Sequence, residues 1–163
     1  MTKHPKICLS VGGDETIVEI DIHTGRIVQE YSSWEHGASR GAWFVRDHVL
    51  HFIGDDPDNT HKVNWYTHDM DTGETRILLA DCHLTAFAYC DGRVYAARHT
   101  SVGDDALLSF APDGTDEKLL GEIHDSIFGI LPVYDPDNIL LSVKSDYYSP
   151  ILFRQDTGFS KLW

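Results

Sequence analysis

The stretch WYTHDMDTGETRILL, residues 65–79, places a polar turn that ends in glycine between two segments in which apolar and polar residues alternate. Alternation with a period of two is typical of a half-buried β-strand, and glycine readily adopts the positive φ that a tight hairpin turn requires. The stretch therefore predicts two antiparallel strands joined by a turn that ends at Gly73.

Three other stretches repeat this pattern: VEIDIHTGRIVQEY at 18–31, LLSFAPDGTDEKLL at 107–120 and ILFRQDTGFSKLW at 151–163. The four turn glycines, Gly25, Gly73, Gly114 and Gly158, are separated by 48, 41 and 44 residues. A repeat of this length is typical of the four-stranded blade of a β-propeller. The hairpin is thus the recurring unit of the chain.

Two further strand-like runs precede each of the last three hairpins, at 42–45 with 49–53, at 85–89 with 94–97, and at 128–133 with 139–143. The sequence therefore predicts one all-β propeller domain over residues 1–163, with about four blades at 6–32, 41–81, 84–122 and 126–163. The first repeat lacks an inner strand. Three explanations stay open: a longer ring, a three-stranded first blade, or a homodimer in which a second subunit completes a larger ring.

The hairpin motifs DIHTG and DMDTG, with the weaker matches QDTG and APDG, resemble those of β-propeller repeat proteins in the quinoprotein-like and lactonase-like class. The resemblance covers essentially the whole chain and implies the propeller fold. Proteins with such repeats include enzymes, lectins, scaffolds and sensors, so the resemblance does not select one function.

The charge of the chain restricts its partners. The 26 acidic and 13 basic residues give a formal net charge of −13, which opposes binding to nucleic acid or to an anionic membrane and favours a cationic ligand or a basic protein. The sequence has no apolar run long enough for a membrane helix, no recognisable signal peptide and no CxxC pair among its three cysteines. These features predict a cytoplasmic protein with free thiols.

Acidic residues concentrate in the connections between the second and third strands of the repeats, at 12–16, 54–62, 98–105 and 144–149. These connections and those that lead to the next inner strand emerge at the same end of the sheets, because successive strands are antiparallel. The sequence predicts a partner-binding surface there, unless the acidic residues only form solvated turns. Its candidate residues are Trp34, Arg40, Asp55, Asp56, Asp104, Asp105, Asp146, Tyr147 and Tyr148.

Histidines recur at the same end. His36, His83 and His124 follow their turn glycines by 11, 10 and 10 residues, and Asp125 adds a carboxylate beside the last of them. Neutral imidazoles that converge on a channel can bind zinc, manganese or iron, and such a metal can activate water. The opposing interpretation is that each histidine only hydrogen-bonds within its own turn.

Two functions follow from these patterns. The first is a binding module that uses the acidic, aromatic-bearing surface to bind a protein or a small cationic ligand. The alternative is a metal-dependent lyase or hydrolase with the histidine-lined site at the channel mouth, whose catalytic residues the sequence does not identify. Phe44, Phe87 and Phe128, which recur in the inner strands, are predicted to pack between blades in either case.

Overall fold

The computed structural model describes residues 6–11, 16–31, 42–132, 138–144 and 150–161. In these ranges the chain forms four antiparallel sheets, and each strand pairs with the strand that follows it within its sheet. Sheet I contains β1 (Lys6–Val11), β2 (Thr16–Asp21) and β3 (Arg26–Tyr31). It has three strands among the described residues, and the prediction that the first repeat lacks an inner strand falls on residues outside them.

The other three sheets have four strands each. Sheet II contains β4 (Trp43–Arg46), β5 (Val49–Asp56), β6 (Asn59–Asp69) and β7 (Thr75–Leu79). Sheet III contains β8 (Leu84–Cys90), β9 (Arg93–Ser101), β10 (Asp104–Phe110) and β11 (Lys118–Ile123). Sheet IV contains β12 (Ile127–Pro132), β13 (Asn138–Val143), β14 (Ile151–Arg154) and β15 (Gly158–Lys161).

The four hairpin glycines all have a positive φ, between 66° and 79°. In sheet II the Asp69 carboxylate accepts the backbone N–H groups of Thr72 and Asp71 at 2.8 and 2.9 Å, and these bonds lower the pKa of Asp69. The Gly73 N–H group closes the turn by donating to the Asp69 carbonyl oxygen at 2.8 Å. The predicted glycine turn is therefore confirmed. The aspartate that precedes it stabilises the turn by accepting these backbone N–H groups.

The core lies between consecutive sheets. Three clusters of buried apolar side chains join sheet I to II, II to III and III to IV. At the middle junction Trp65 is fully buried and its ring lies 5.5 Å from that of Phe87 and 5.9 Å from that of Phe110. Face-to-face packing of small sheets in chain order is the propeller-like arrangement that the repeats predict.

Two predicted loops are largely strand. The connections at 54–62 and 98–105 continue as paired backbone as far as Asp56 opposite Asn59 and Asp104 opposite Ser101. The chain reverses only at 57–58 and at 102–103, where Gly103 has a φ of 88°. The polar composition of these segments indicated loops. A hairpin that extends beyond the core, however, keeps its backbone pairing while its side chains face water.

The prediction for the three inner-strand phenylalanines is only partly correct. Phe44 and Phe87 meet edge to face with their ring centroids 5.1 Å apart, at the junction of sheets II and III. Phe128 is instead 53% exposed, so it does not pack between sheets. It lies on sheet IV, which has a neighbouring sheet on one side only among the described residues.

Candidate functional site

One end of the sheets gathers the tips of the β5–β6 and β9–β10 hairpins and the connections to the next sheet. His124 Nδ1 lies 2.9 Å from Asp104 Oδ1, and the Asp81 N–H group donates to Asn64 Oδ1 at 2.8 Å. These bonds place the two kinds of connection side by side, as the antiparallel strand order predicts. We call this region the acidic end and define it by Asp55, Asp56, Asp58 and Asp104.

Two carboxylates of the acidic end are held in their ionised form. Asp56 accepts the Asp58 N–H group at 2.9 Å and the Asn64 side-chain amide at 3.3 Å, and these bonds lower the pKa of Asp56. Asp104 accepts the Ser101 hydroxyl at 2.7 Å, and this bond, with the contact to His124, lowers the pKa of Asp104. Both carboxylates therefore carry negative charge at neutral pH.

Two cations at this end, Arg98 and Lys62, are paired with acids. Arg98 donates two hydrogen bonds to the Glu117 carboxylate, at 2.6 and 2.8 Å, and a third to the Cys82 carbonyl oxygen at 3.1 Å. Lys62 lies 3.8 Å from an oxygen of Asp81. Among the described residues, these pairs leave the acidic end with an excess of carboxylates.

The opposite end, which carries the glycine turns, also has acidic residues, among them Asp71, Asp91 and Asp113, and it has most of the described arginines. There the structure pairs each of several cations with an acid: Arg46 with Asp47, Arg76 with Glu74, and both Arg93 and Lys118 with Asp116. Both ends of the described sheets therefore carry carboxylates, and they differ mainly in the number of arginines.

The prediction that Asp105 belongs to an exposed partner surface is wrong. It belongs to β10 rather than to an exposed loop, and its side chain is only 1% exposed. One carboxylate oxygen lies 2.9 Å from His99 Nδ1, and the other accepts the Ile127 N–H group at 2.7 Å. Asp105 thus ties sheet III to the first residue of β12 in sheet IV and presents no carboxylate to a partner.

Asn64 has the equivalent role one sheet earlier. It lies nine residues before Gly73, as Asp105 lies nine residues before Gly114, and its side-chain oxygen accepts the Asp81 N–H group on the way to sheet III. The sequence analysis missed this pair of inter-sheet ties. The sequence does contain a pattern that indicates these ties: each turn glycine has a polar residue nine positions before it. In the other two repeats this residue is Thr16 or Ser149.

The two histidines of the predicted metal site that the structure describes contact different aspartates. His83 Nε2 lies 3.2 Å from Asp81, and His124 contacts Asp104 with its side chain 98% exposed. The Asp125 carboxylate accepts the Ser126 N–H group at 2.8 Å. Within the described ranges, no three His, Cys, Asp or Glu side chains form a group able to hold a metal ion.

The remaining candidates lie outside the described residues. They are Trp34, His36, Arg40, Asp146, Tyr147 and Tyr148. The predicted metal site depends on His36 and therefore stays a prediction, as does the aromatic part of the partner surface. Cys82 and Cys90 are free thiols, and none of the described residues forms a helix suited to spanning a bilayer.

The contact with Asp104 has a measurable effect on His124. Its hydrogen bond and negative charge raise the pKa of His124 above the ordinary value of 6.5. We expect Asp104→Asn to lower that pKa towards 6.5, as followed by the imidazole NMR signals during a pH titration. Asp58→Asn, a nearby change outside the pair, should leave the titration unchanged; an equal effect of both variants would contradict the pairing.

Comparison with solved structures identifies the fold. The chain matches the complex of KlAtg21 with the coiled coil of AgAtg16 at a TM-score of 0.59 and 12% identity, over 91% of this chain and 49% of that one. It matches an oligogalacturonate lyase in complex with manganese at 0.60 and 13% identity, over 91% of this chain and 42% of that one. An acylaminoacyl peptidase bound to a chloromethyl ketone matches at 0.52 and 13% identity, over 91% and 28%.

These are propeller-type folds, so the likeness supports a propeller-like all-β fold for this chain. The chain spans less than half the length of each of these solved chains. No protein-family model matches it, and no curated protein matches it in sequence. At 12–13% identity the comparisons identify the fold alone.

Proposed function

We propose that this protein is a propeller-type binding module whose acidic end binds a basic protein segment or a small cationic ligand. The observation that carries the proposal is the arrangement of charge: Asp56, Asp58 and Asp104 belong to hairpin tips at the same end of sheets II and III, while Lys62 and Arg98 there are paired with other acids. Complementary charge of this kind steers and selects a cationic partner. The solved complex of KlAtg21 with a coiled coil is an example of a similar fold in complex with a protein segment.

The finer features of the predicted module belong to the same proposal. The four sheets are its blades, and Asp55 and Asp146 extend the acidic surface. Trp34, Tyr147 and Tyr148 supply apolar contact area, and Arg40 orients an acidic group of the partner. Free thiols at Cys82 and Cys90 are consistent with the reducing cytoplasm as its location.

A metal-dependent lyase or hydrolase remains the second candidate. It would use His36, His83, His124 and Asp125 to hold zinc, manganese or iron, and the solved oligogalacturonate lyase is described as a complex with manganese. That likeness concerns the fold, and the two described histidines each contact a separate aspartate. The binding module is therefore the better supported function.

The test compares two triple variants that change the net charge equally. Asp56→Asn, Asp58→Asn and Asp104→Asn neutralise the acidic end, whereas Asp47→Asn, Asp71→Asn and Asp91→Asn neutralise the glycine-turn end. Binding of a fluorescein-labelled peptide of alternating arginine and glycine is measured by fluorescence anisotropy at low and high salt. We expect the acidic-end triple to weaken binding about tenfold, which corresponds to about 1.4 kcal/mol, and the other triple to change it by less than about threefold.

Both triple variants reduce the negative formal charge of the chain, from −13 to −10, so non-specific attraction to the chain as a whole would affect them equally. Equal affinities of the two variants would overturn the proposal. A peptide in which glutamate replaces arginine should not bind, and 300 mM salt should weaken binding of the arginine peptide because added ions screen exposed charges.

A further inference from the structure

Two Asp-Gly sequences lie in turns of the chain, Asp91-Gly92 and Asp113-Gly114. An aspartate before glycine can isomerise to isoaspartate, because the glycine nitrogen attacks the side-chain carboxyl carbon and glycine has no side chain to obstruct the attack. The reaction is favoured by a neutral carboxyl group, by a glycine N–H group without a hydrogen-bond acceptor, and by a turn that opens readily. The contacts of the two sites differ in all three respects.

The Asp91-Gly92 turn joins β8 to β9 and leaves both reacting groups without a partner among the described residues. Asp91 and Gly92 are exposed, and no described residue forms a hydrogen bond or an ion pair with the Asp91 carboxylate. No described backbone carbonyl accepts the Gly92 N–H group. The space around the turn is open, since a Cβ atom at Gly92 would have no atom beyond its chain neighbours within 4 Å.

The Asp113-Gly114 turn holds the corresponding groups in place. The Asp113 carboxylate accepts the Thr115 hydroxyl at 2.5 Å and the Thr115 N–H group at 3.0 Å, and these bonds lower the pKa of Asp113. The Gly114 N–H group donates to the Ala111 carbonyl oxygen at 2.9 Å. A Cβ atom at Gly114 would lie 3.4 Å from the Leu78 side chain, so this turn packs against sheet II.

The backbone of the first turn adds a further difference. Asp91 has a φ of 46°, in the left-handed region where an L-residue with a side chain is strained, whereas Asp113 does not have a positive φ. Opening of the Asp91-Gly92 turn therefore releases strain. Opening of the Asp113-Gly114 turn breaks three hydrogen bonds instead.

We propose that Asp91 is a site of spontaneous isomerisation to isoaspartate in the folded protein, and that the fold protects Asp113. The Gly92 nitrogen loses its proton and forms a bond to the Asp91 Cγ atom, a Cγ–O bond breaks, and water leaves to give a cyclic succinimide. Water then adds to one of its two carbonyl carbons. Addition at Cγ restores aspartate, whereas addition at the Asp91 backbone carbonyl breaks the original peptide C–N bond and gives isoaspartate.

The product has the same mass as the original chain, and the reaction needs only water. It adds one carbon atom to the backbone of a two-residue turn, between Cys90 and Arg93, which are paired at the ends of β8 and β9. Arg93 in turn donates to Ser109 at 3.0 Å and pairs with Asp116. The modification therefore lengthens a connection next to contacts that hold β9 to the rest of sheet III.

The test incubates the folded, unaltered protein for several weeks in water enriched in oxygen-18, at neutral pH and physiological temperature. Each hydrolysis of a succinimide incorporates the heavy oxygen, and electron-transfer fragmentation of the peptides distinguishes isoaspartate from aspartate. Trypsin, used in ordinary water, places the two sites on separate peptides, 77–93 and 99–118. We expect about tenfold more isoaspartate at Asp91 than at Asp113, since a carboxyl group is about tenfold less often neutral for each unit by which its pKa is lowered.

Gly92→His is the matched control, because the β4–β5 turn already has histidine after aspartate, with a φ of 64° at His48. It should suppress isoaspartate at Asp91 and leave Asp113 unchanged, whereas Thr115→Val removes the hydroxyl donor and should raise isoaspartate at Asp113. In concentrated urea the two sites of the unaltered chain should react at similar rates. Equal reaction of the two sites in the folded protein, or isoaspartate at residue 91 that persists in Gly92→His, would overturn the proposal.

Discussion

Replacing Asp105 by alanine is expected to lower the free energy of unfolding by about 3 kcal/mol. The carboxylate is 1% exposed and accepts hydrogen bonds from the Ile127 backbone and from His99. Without it, the Ile127 N–H group is left unpaired in a buried position at the start of β12. Removal of one partner from a buried hydrogen bond costs the full desolvation of the group that remains, here the Ile127 N–H group, and the contact with the partly exposed His99 is lost as well.

Urea unfolding followed by tryptophan fluorescence measures this change, and two variants make the interpretation specific. Asp105→Asn keeps an acceptor for the Ile127 N–H group and should recover a large part of the loss. Asp104→Ala removes the adjacent carboxylate, whose side chain is 36% exposed, and should cost less than about 1 kcal/mol. If Asp104→Ala and Asp105→Ala had equal costs, the assignment of Asp105 as an inter-sheet tie would be wrong.

The fold was largely predictable because its unit is local. Glycine at a fixed turn position, aspartate four residues before it in two of the repeats and alternating strands on both sides are short-range features, and the structure contains each of them at Gly25 and Gly73. The packing of Phe44 on Phe87 was also predictable from their repeated position. Phe128 was not, because its exposure depends on whether a further sheet lies beside sheet IV.

The candidate site was less predictable, because an aspartate can either face solvent or hold two sheets together, and the sequence does not distinguish these two roles. Asp104 and Asp105 are neighbours in one acidic segment, yet one is partly exposed beside His124 and the other is buried against Ile127. Adjacent residues of a strand face opposite sides, so the difference depends on the register between β9 and β10. Composition indicates a charged surface, but it does not indicate which carboxylate the fold itself uses.

The stability of the protein should fall by about 2.5 kcal/mol between pH 7.5 and pH 4.5 through His51 alone. Its imidazole is buried, stacks on Phe44 with ring centroids 4.5 Å apart and accepts the Trp65 indole N–H at 3.2 Å through Nδ1. Burial and the nearby charge of Arg46 lower the pKa of His51 from 6.5 to about 4. The unfolded chain therefore binds a proton below pH 6.5 that the folded chain does not accept until about pH 4, so stability is lost as the pH falls through this window.

A comparison with His51→Gln isolates this contribution, because glutamine does not titrate. The variant loses the packing and hydrogen bond of the imidazole, so it should be less stable at pH 7.5, and its deficit should shrink by about 2.5 kcal/mol at pH 4.5. The carboxylates Asp56, Asp69 and Asp104, whose pKa values are lowered in the folded protein, titrate in both chains and cancel in the difference. A deficit for His51→Gln that stays constant with pH would mean that the folded protein protonates His51 as readily as the unfolded chain does, which would contradict the lowered pKa of the buried imidazole.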